Sequence, residues 1–146
     1  MQKIPTLFVR DPKTHLVTPE VTPGCEWVQD YQGRASVKYD GTCCLVRDGK
    51  LYKRYDGKAG KAPPDGFEPC GDVDPLTGHW PGWVPVGDGP EDQYHREAWA
   101  AAPEWFCQPV PADGTYELCG PKVQGNPEHL PFHRLLQHGD AWLFVF

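Results

Sequence analysis

Apolar and β-branched residues alternate with polar ones most clearly in residues 35–55, and aspartate-glycine pairs cut that stretch at regular steps. Asp40-Gly41, Asp48-Gly49 and Asp56-Gly57 recur at an interval of eight. Both residue types tolerate positive φ, so the pattern predicts a meander with strands near residues 36–39, 42–47 and 50–55. Leu7-Phe8-Val9-Arg10 reads as a short strand or edge segment, followed by coil punctuated by Pro12, Pro19 and Pro23. Residues 62–90, rich in Pro, Gly and Asp, predict a long loop around His79-Trp80-Pro81-Gly82-Trp83. A loop of that length in a compact domain is a lid or binding loop, whose tryptophans either stack on a base or pin the loop to the core. Pro90-Glu91-Asp92 opens one substantial helix running to about Ala102: proline suits the first turn, acids suit the positive dipole end, and Tyr94, Ala98 and Ala101 share a face. Pro103 is expected to end it. A turn at Asp113-Gly114 precedes a strand over residues 116–119 and a tight loop over 120–127. The chain closes on the apolar run Trp142-Leu143-Phe144-Val145-Phe146, which reads as a cut strand whose edge would pair with a partner chain or a second copy.

Length and composition fit this picture of strands and turns. The chain has 146 residues, 39% hydrophobic and 12% aromatic, with 16 Gly and 17 Pro. That is enough for one domain with a real core, and it predicts an α+β fold: a mostly antiparallel twisted sheet with few helices, residues 1–146 forming a single domain. The sequence holds no run of eighteen apolar residues and no signal-peptide pattern at Met1-Gln2-Lys3-Ile4-Pro5, so a soluble cytoplasmic protein is expected. The six cysteines, Cys25, Cys43, Cys44, Cys70, Cys107 and Cys119, lack C-x-x-C spacing and are expected to be reduced and mostly buried.

Charge is unevenly distributed although the formal net charge is -6. Between residues 31 and 61, Arg34, Lys38, Arg47, Lys50, Lys53, Arg54, Lys58 and Lys61 stand against Asp40, Asp48 and Asp56, a local excess of +5. Between residues 65 and 104, nine acids stand against Arg96 alone. A local positive field can hold phosphates on an acidic protein because charges beyond a Debye length are screened. A solvated strand face is the other reading of the same run.

Lys38-Tyr39-Asp40-Gly41, followed downstream by Thr115-Tyr116-Glu117-Leu118, has the serial order that covalent nucleotidyl transfer requires. Attack on an α-phosphorus needs an amine that burial or cationic neighbours can relieve of its proton, cations to offset phosphate charge, and carboxylates for ribose or metal. Lys38 supplies the amine, Lys53 and Arg54 the cations, and Asp40 and Glu117 the carboxylates. Taken alone, Lys-x-Asp-Gly also describes an ordinary surface turn.

Four segments in order carry a more specific likeness: Lys38-Tyr39-Asp40-Gly41-Thr42-Cys43-Cys44, Leu51-Tyr52-Lys53-Arg54-Tyr55, Gly78-His79-Trp80-Pro81-Gly82-Trp83-Val84-Pro85 and Thr115-Tyr116-Glu117-Leu118-Cys119-Gly120-Pro121-Lys122. Together they resemble the ATP-dependent RNA 5'-phosphate to 3'-hydroxyl ligase family, over nearly the whole chain. The resemblance implies a nucleotidyltransferase fold of the ligase adenylation type and three steps: Lys38 takes AMP from ATP, AMP passes to an RNA 5'-phosphate, and an RNA 3'-hydroxyl displaces it. It implies Lys38 as nucleophile, nucleotide contacts from Asp40, Gly41, Lys53, Arg54, Glu117 and Lys122, and Mg2+ or Mn2+ held at Glu117. The implied partners are ATP and RNA bearing 5'-phosphate and 3'-hydroxyl ends. Cys43 stands where the related DNA ligases usually carry arginine, which favours RNA as substrate. The family's Glu-Gly-(Ile/Val)-Val motif and its paired-lysine motif do not follow Glu117, so an incomplete adenylyltransferase domain, impaired in turnover, is expected. The alternative is a noncatalytic nucleotide- or RNA-binding fragment, or half of a split ligase completed by another chain.

Three further features have plainer readings. His129 and His133 lie four apart, but Pro127 and Pro131 argue against a shared helical face, so they read as loop histidines. Cys43 and Cys44, adjacent in a strand, point to opposite faces and cannot together hold one metal. Glu117 from spacing alone also fits a strand acid paired with a neighbouring base.

Overall fold

The computed structural model describes residues 5–106 and 110–140, which fall into two compact units, residues 5–35 and 36–140. In the first, β1 (Phe8–Arg10) and β2 (Val17–Val21) pair antiparallel, Phe8 opposite Val21 and Arg10 opposite Val17. Their connection is built on Asp11, whose Oδ1 accepts N–H groups from Lys13 and Thr14, both at 2.8 Å. Pro19, expected in coil, lies within β2. A two-stranded sheet leaves each strand one outer edge, where proline's missing N–H is tolerated. A short helix, α1 (Glu26–Gln29), follows.

The second unit contains β3 (Thr42–Arg47), β4 (Lys50–Lys58), β5 (Glu68–Pro69), β6 (His79–Pro85), α2 (Gln93–Phe106), β7 (Gly114–Cys119) and β8 (Arg134–Gln137). The strands form one antiparallel sheet in the order β5-β6-β4-β3-β7-β8. The fold is α+β with few helices, as the sequence predicts. Asp48 and Gly49 turn the β3–β4 hairpin with φ of 51° and 69°, the two positive values that a tight two-residue hairpin demands.

The other two aspartate-glycine pairs behave differently. Residues 37–40 make no ladder and only Ser36 forms an isolated bridge, so the expected strand over 36–39 is absent and Asp40-Gly41 is not a hairpin turn. Asp56 and Gly57 lie inside β4, opposite Pro81 and Trp80 of β6. A Cβ on Gly57 would sit 2.7 Å from the Trp80 carbonyl oxygen, so close strand approach explains this glycine.

The expected loop over residues 62–90 contains β5 and β6, and His79-Trp80-Pro81-Gly82-Trp83 is strand. Phe67 fixes the connection: its ring meets Trp80 edge-on at 5.0 Å and Tyr55 at 5.9 Å. Trp80 Nε1 also donates to the Gly71 carbonyl at 3.0 Å. Trp80 therefore pins its surroundings to the sheet, the second of the two roles expected for it. β8 was not predicted at all; it pairs with β7, Leu118 opposite Leu135. The apolar run 142–146 and Cys107 lie outside the described residues. The described cysteines, Cys25, Cys43, Cys44, Cys70 and Cys119, are free thiols.

Strand alternation separates two faces. Cys44, Val46, Leu51, Tyr116, Leu118 and Leu135 share one and are buried with Ala98 of α2 and Val123; Tyr94 and Trp99 pack alongside. The buried face of α2 includes Ala98 and Ala102, while Ala101 is only half-buried. The helix continues through Pro103 to Phe106 rather than stopping there. A proline in the last turn forfeits only one hydrogen bond to the preceding turn.

Asp92 ties the start of this helix to the sheet. Its Oδ1 pairs with Lys53 Nζ, its Oδ2 accepts the Gly87 N–H at 2.8 Å, and it is 2% exposed. Burial raises its pKa, but the hydrogen bonds from Lys53 and Gly87 outweigh that, and the net shift is downward. His95, whose Nδ1 lies 3.9 Å from Asp92 Oδ1, is also shifted down, by its own burial. Both shifts act in one direction: the stability they carry is present above the ordinary pKa and is lost as pH falls through the folded value. Asp92→Asn is expected to lower unfolding free energy by about 2–3 kcal/mol at pH 7, read from urea melts. Below about pH 5 the parent's urea midpoint should fall more steeply than the variant's.

Candidate functional site

The sheet face opposite α2 carries the predicted acid. Cys43 and Glu117 are direct cross-strand partners in β3 and β7. Arg54 follows Lys53, the partner of Cys44, so Arg54 and Cys43 lie side by side on the same face. Glu117 is held at both oxygens: Oε1 accepts the Gly41 N–H at 3.1 Å, and Oε2 lies 2.8 Å from His138 Nε2. His138 follows β8 and is fixed by its own N–H donating to the Thr115 carbonyl at 3.1 Å.

This brings the Lys38-Tyr39-Asp40-Gly41 segment against the end of β7. Gly41 has no positive φ; a Cβ there would collide with the Leu118 carbonyl oxygen and stand 2.8 Å from Cys119 Sγ. Glycine is needed for close backbone approach, which sets its N–H within reach of Glu117. Asp40 donates its N–H to Glu128 Oε1 at 3.0 Å, so two carboxylates hold successive amides of one segment. Lys38 is exposed, with no hydrogen bond or ion pair to another described residue.

The remaining predicted residues scatter. Lys53 and Arg54 do not act together: adjacent strand positions point to opposite faces, and Lys53 is engaged with Asp92 on the helix side. Arg54 Nε contacts Asp56 Oδ1 at 3.2 Å. Lys122 is exposed in the loop after β7, where its backbone N–H donates to His133 Nε2 at 3.3 Å. His133 lies in the loop before β8, as expected, but its side chain is enclosed. It is buried, stacks on Tyr94 at 4.4 Å and holds Glu97 Oε2 at 2.7 Å through Nδ1. A recess of about 170 Å3 lined by Tyr55, Asp56, Gly57, Lys58, Lys61 and Pro63 includes none of the predicted site residues.

Sequence reasoning missed His138, Glu128 and the part taken by Cys43. His138 and Glu128 belong to segments with no periodic pattern, and only pairing of β8 with β7 brings the histidine to Glu117. Cys43 Sγ, a Glu117 carboxylate oxygen and a His138 ring nitrogen all lie within 4.8 Å of one another. Burial first, then the negative charge of Glu117, pushes the Cys43 thiol up to about 11, with Arg54 opposing. Cys119 is pushed up to about 12 by burial.

Gly41→Ala is expected to cost about 3 kcal/mol in urea unfolding, because the obstacle is backbone rather than a movable side chain. Gly49→Ala, with open space around its Cβ, should cost only about 1 kcal/mol for its positive φ.

Comparison with protein-family models finds no match for this chain, and comparison with curated proteins finds none at a significant level.

Proposed function

We propose that this chain is the adenylyl-accepting portion of an ATP-dependent RNA ligase, with a nucleotidyltransferase type of fold, and that Lys38 is the residue that takes AMP. The observation that carries the reading is the hydrogen bond from the Gly41 N–H to Glu117 Oε1, which couples the lysine-bearing segment to the acid of the later motif. The four ordered segments that resemble the ligase family support it as well. In the first step Lys38 Nζ attacks the α-phosphorus of ATP. A phosphorus–nitrogen bond forms, the bond to pyrophosphate breaks, and the amine proton passes to solvent. An oxygen of the RNA 5'-phosphate then attacks the same phosphorus, breaking the phosphorus–nitrogen bond and returning the Lys38 amine, and an RNA 3'-hydroxyl attacks the 5'-phosphate phosphorus, releasing AMP and giving its proton to solvent.

Within this reading Arg54 offers positive charge to phosphate from the same face as Glu117, while Lys38 and Asp40 stand exposed in the segment before β3. Lys53 has no part, because it serves the Asp92 pair on the other face. Lys122 sits on the loop next to Gly120 and is a phosphate contact only once substrate is present. The donors around Glu117 are a sulfur and a ring nitrogen, which do not fit Mg2+, a hard ion that demands oxygen ligands. No step is therefore routed through a metal held by the protein.

A noncatalytic role is favoured by one observation, the exposure of Lys38 without a hydrogen-bond or ion-pair partner among the described residues. The two readings separate in one assay. With ATP labelled at the α-phosphate and MgCl2 in the buffer, label is expected on the protein in acid-resistant form and absent from Lys38→Ala. Glu117→Gln should reduce labelling by about a hundredfold. ATP binding without any label sinks the catalytic reading in favour of the binding fragment.

A further inference from the structure

We propose that Cys43, Glu117 and His138 form a binding site for one transition-metal ion of borderline softness, Zn2+ by the chemistry of its donors. The site goes beyond the adenylyl-transfer reading and does not rest on it. The three donor atoms lie within 4.8 Å of one another. A tetrahedral Zn2+ holds its ligands about 3.3–3.8 Å apart, so small side-chain rotations suffice. One thiol, one imidazole and one carboxylate leave a fourth position open, the arrangement of a site that accepts water or a small ligand. Sulfur and nitrogen donors select Zn2+ over Mg2+ or Ca2+.

The framework is rigid where a metal site needs it to be. Cys43 and Glu117 are paired across adjacent strands, and the His138 backbone is bonded to Thr115, two residues before Glu117. The Gly41 N–H already orients one Glu117 oxygen, the kind of supporting hydrogen bond that positions a metal-binding carboxylate. His138 Nδ1 is buried without a hydrogen-bond partner, so the ring's one polar engagement among the described residues is with Glu117. Metal entry opens that contact, and the Cys43 proton leaves to solvent as the sulfur–metal bond forms. Thiolate and carboxylate then balance the two positive charges of the ion. A neutral centre can sit beside Arg54 without repulsion.

The test uses the reduced 146-residue chain freed of metal by chelator, titrated with Co2+ alone and then with Zn2+. One equivalent of Co2+ should give the near-ultraviolet absorption of a thiolate bonded to cobalt, displaced by one equivalent of Zn2+. Cys43→Ser should abolish that absorption, and His138→Ala should weaken Zn2+ binding by more than about tenfold, the least that loss of even a supporting group costs. Cys25→Ser should bind as the parent does. Lys38→Ala should also bind Zn2+ normally while failing to take label from ATP, which keeps failure of this site distinct from failure of the ligase reading. Absence of the thiolate absorption in the parent, or its survival in Cys43→Ser, overturns the proposal. If Cys43→Ser does not fold, His138→Ala decides alone: a loss of more than about tenfold supports the site, and unchanged affinity overturns it.

Discussion

The close approach of the backbone at Gly41 to the Leu118 carbonyl is the constraint on which the candidate site depends. Only a residue without Cβ fits there. That contact sits beside the Thr42–Leu118 pair where β3 and β7 begin to run together. From it follow the Gly41 N–H on Glu117 and the Asp40 N–H on Glu128, which hold the segment that carries Lys38 just before β3. A side chain at position 41 would disturb the ladder and the site together, because both use the same few atoms.

The two faces of the sheet divide the chemistry. On the helix side, burial of Cys44, Val46, Tyr116 and Leu118 supplies the apolar core, and the Lys53–Asp92 pair is the charged contact that fixes the start of α2. A pair this enclosed is costly to break on one side, since the partner is left charged in a dry setting. On the other face, Cys43, Arg54, Glu117 and His138 are half-buried. Partial burial retains solvent access for a ligand while lowering the local dielectric, so charge at these groups is felt more strongly than on the surface. Glu117 is the one acid to which both the ligase reading and the metal proposal assign a role. Occupation of the site by Zn2+ would take Glu117 from any other ligand.

Sequence by itself determined the elements whose cause is local. The Asp48-Gly49 hairpin followed from two residues that accept positive φ, the strand over 42–47 from its alternation, and the helical entry at residue 90, a 3-10 turn over Pro90–Asp92 that leads into α2, from proline followed by acids. The opposite orientation of Cys43 and Cys44 also followed, because a strand's period of two leaves no other choice. What only tertiary structure decided were contacts between segments distant in the chain. Asp40-Gly41 and Asp56-Gly57 have the same composition as the true turn, yet their glycines answer to carbonyls of neighbouring strands. Strand β6 was illegible because Pro81, Pro85 and the flanking glycines mask its pattern, and β5 and β8 because they are too short to show one, while pairing of β6 to β4, β5 to β6 and β8 to β7 stabilises them regardless. The candidate site divides in the same way: Lys38 and Glu117 stand out by order and residue type. The roles of His138, Glu128 and Cys43, and the separation of Lys53 from Arg54, exist only once antiparallel register has set which side chains share a face.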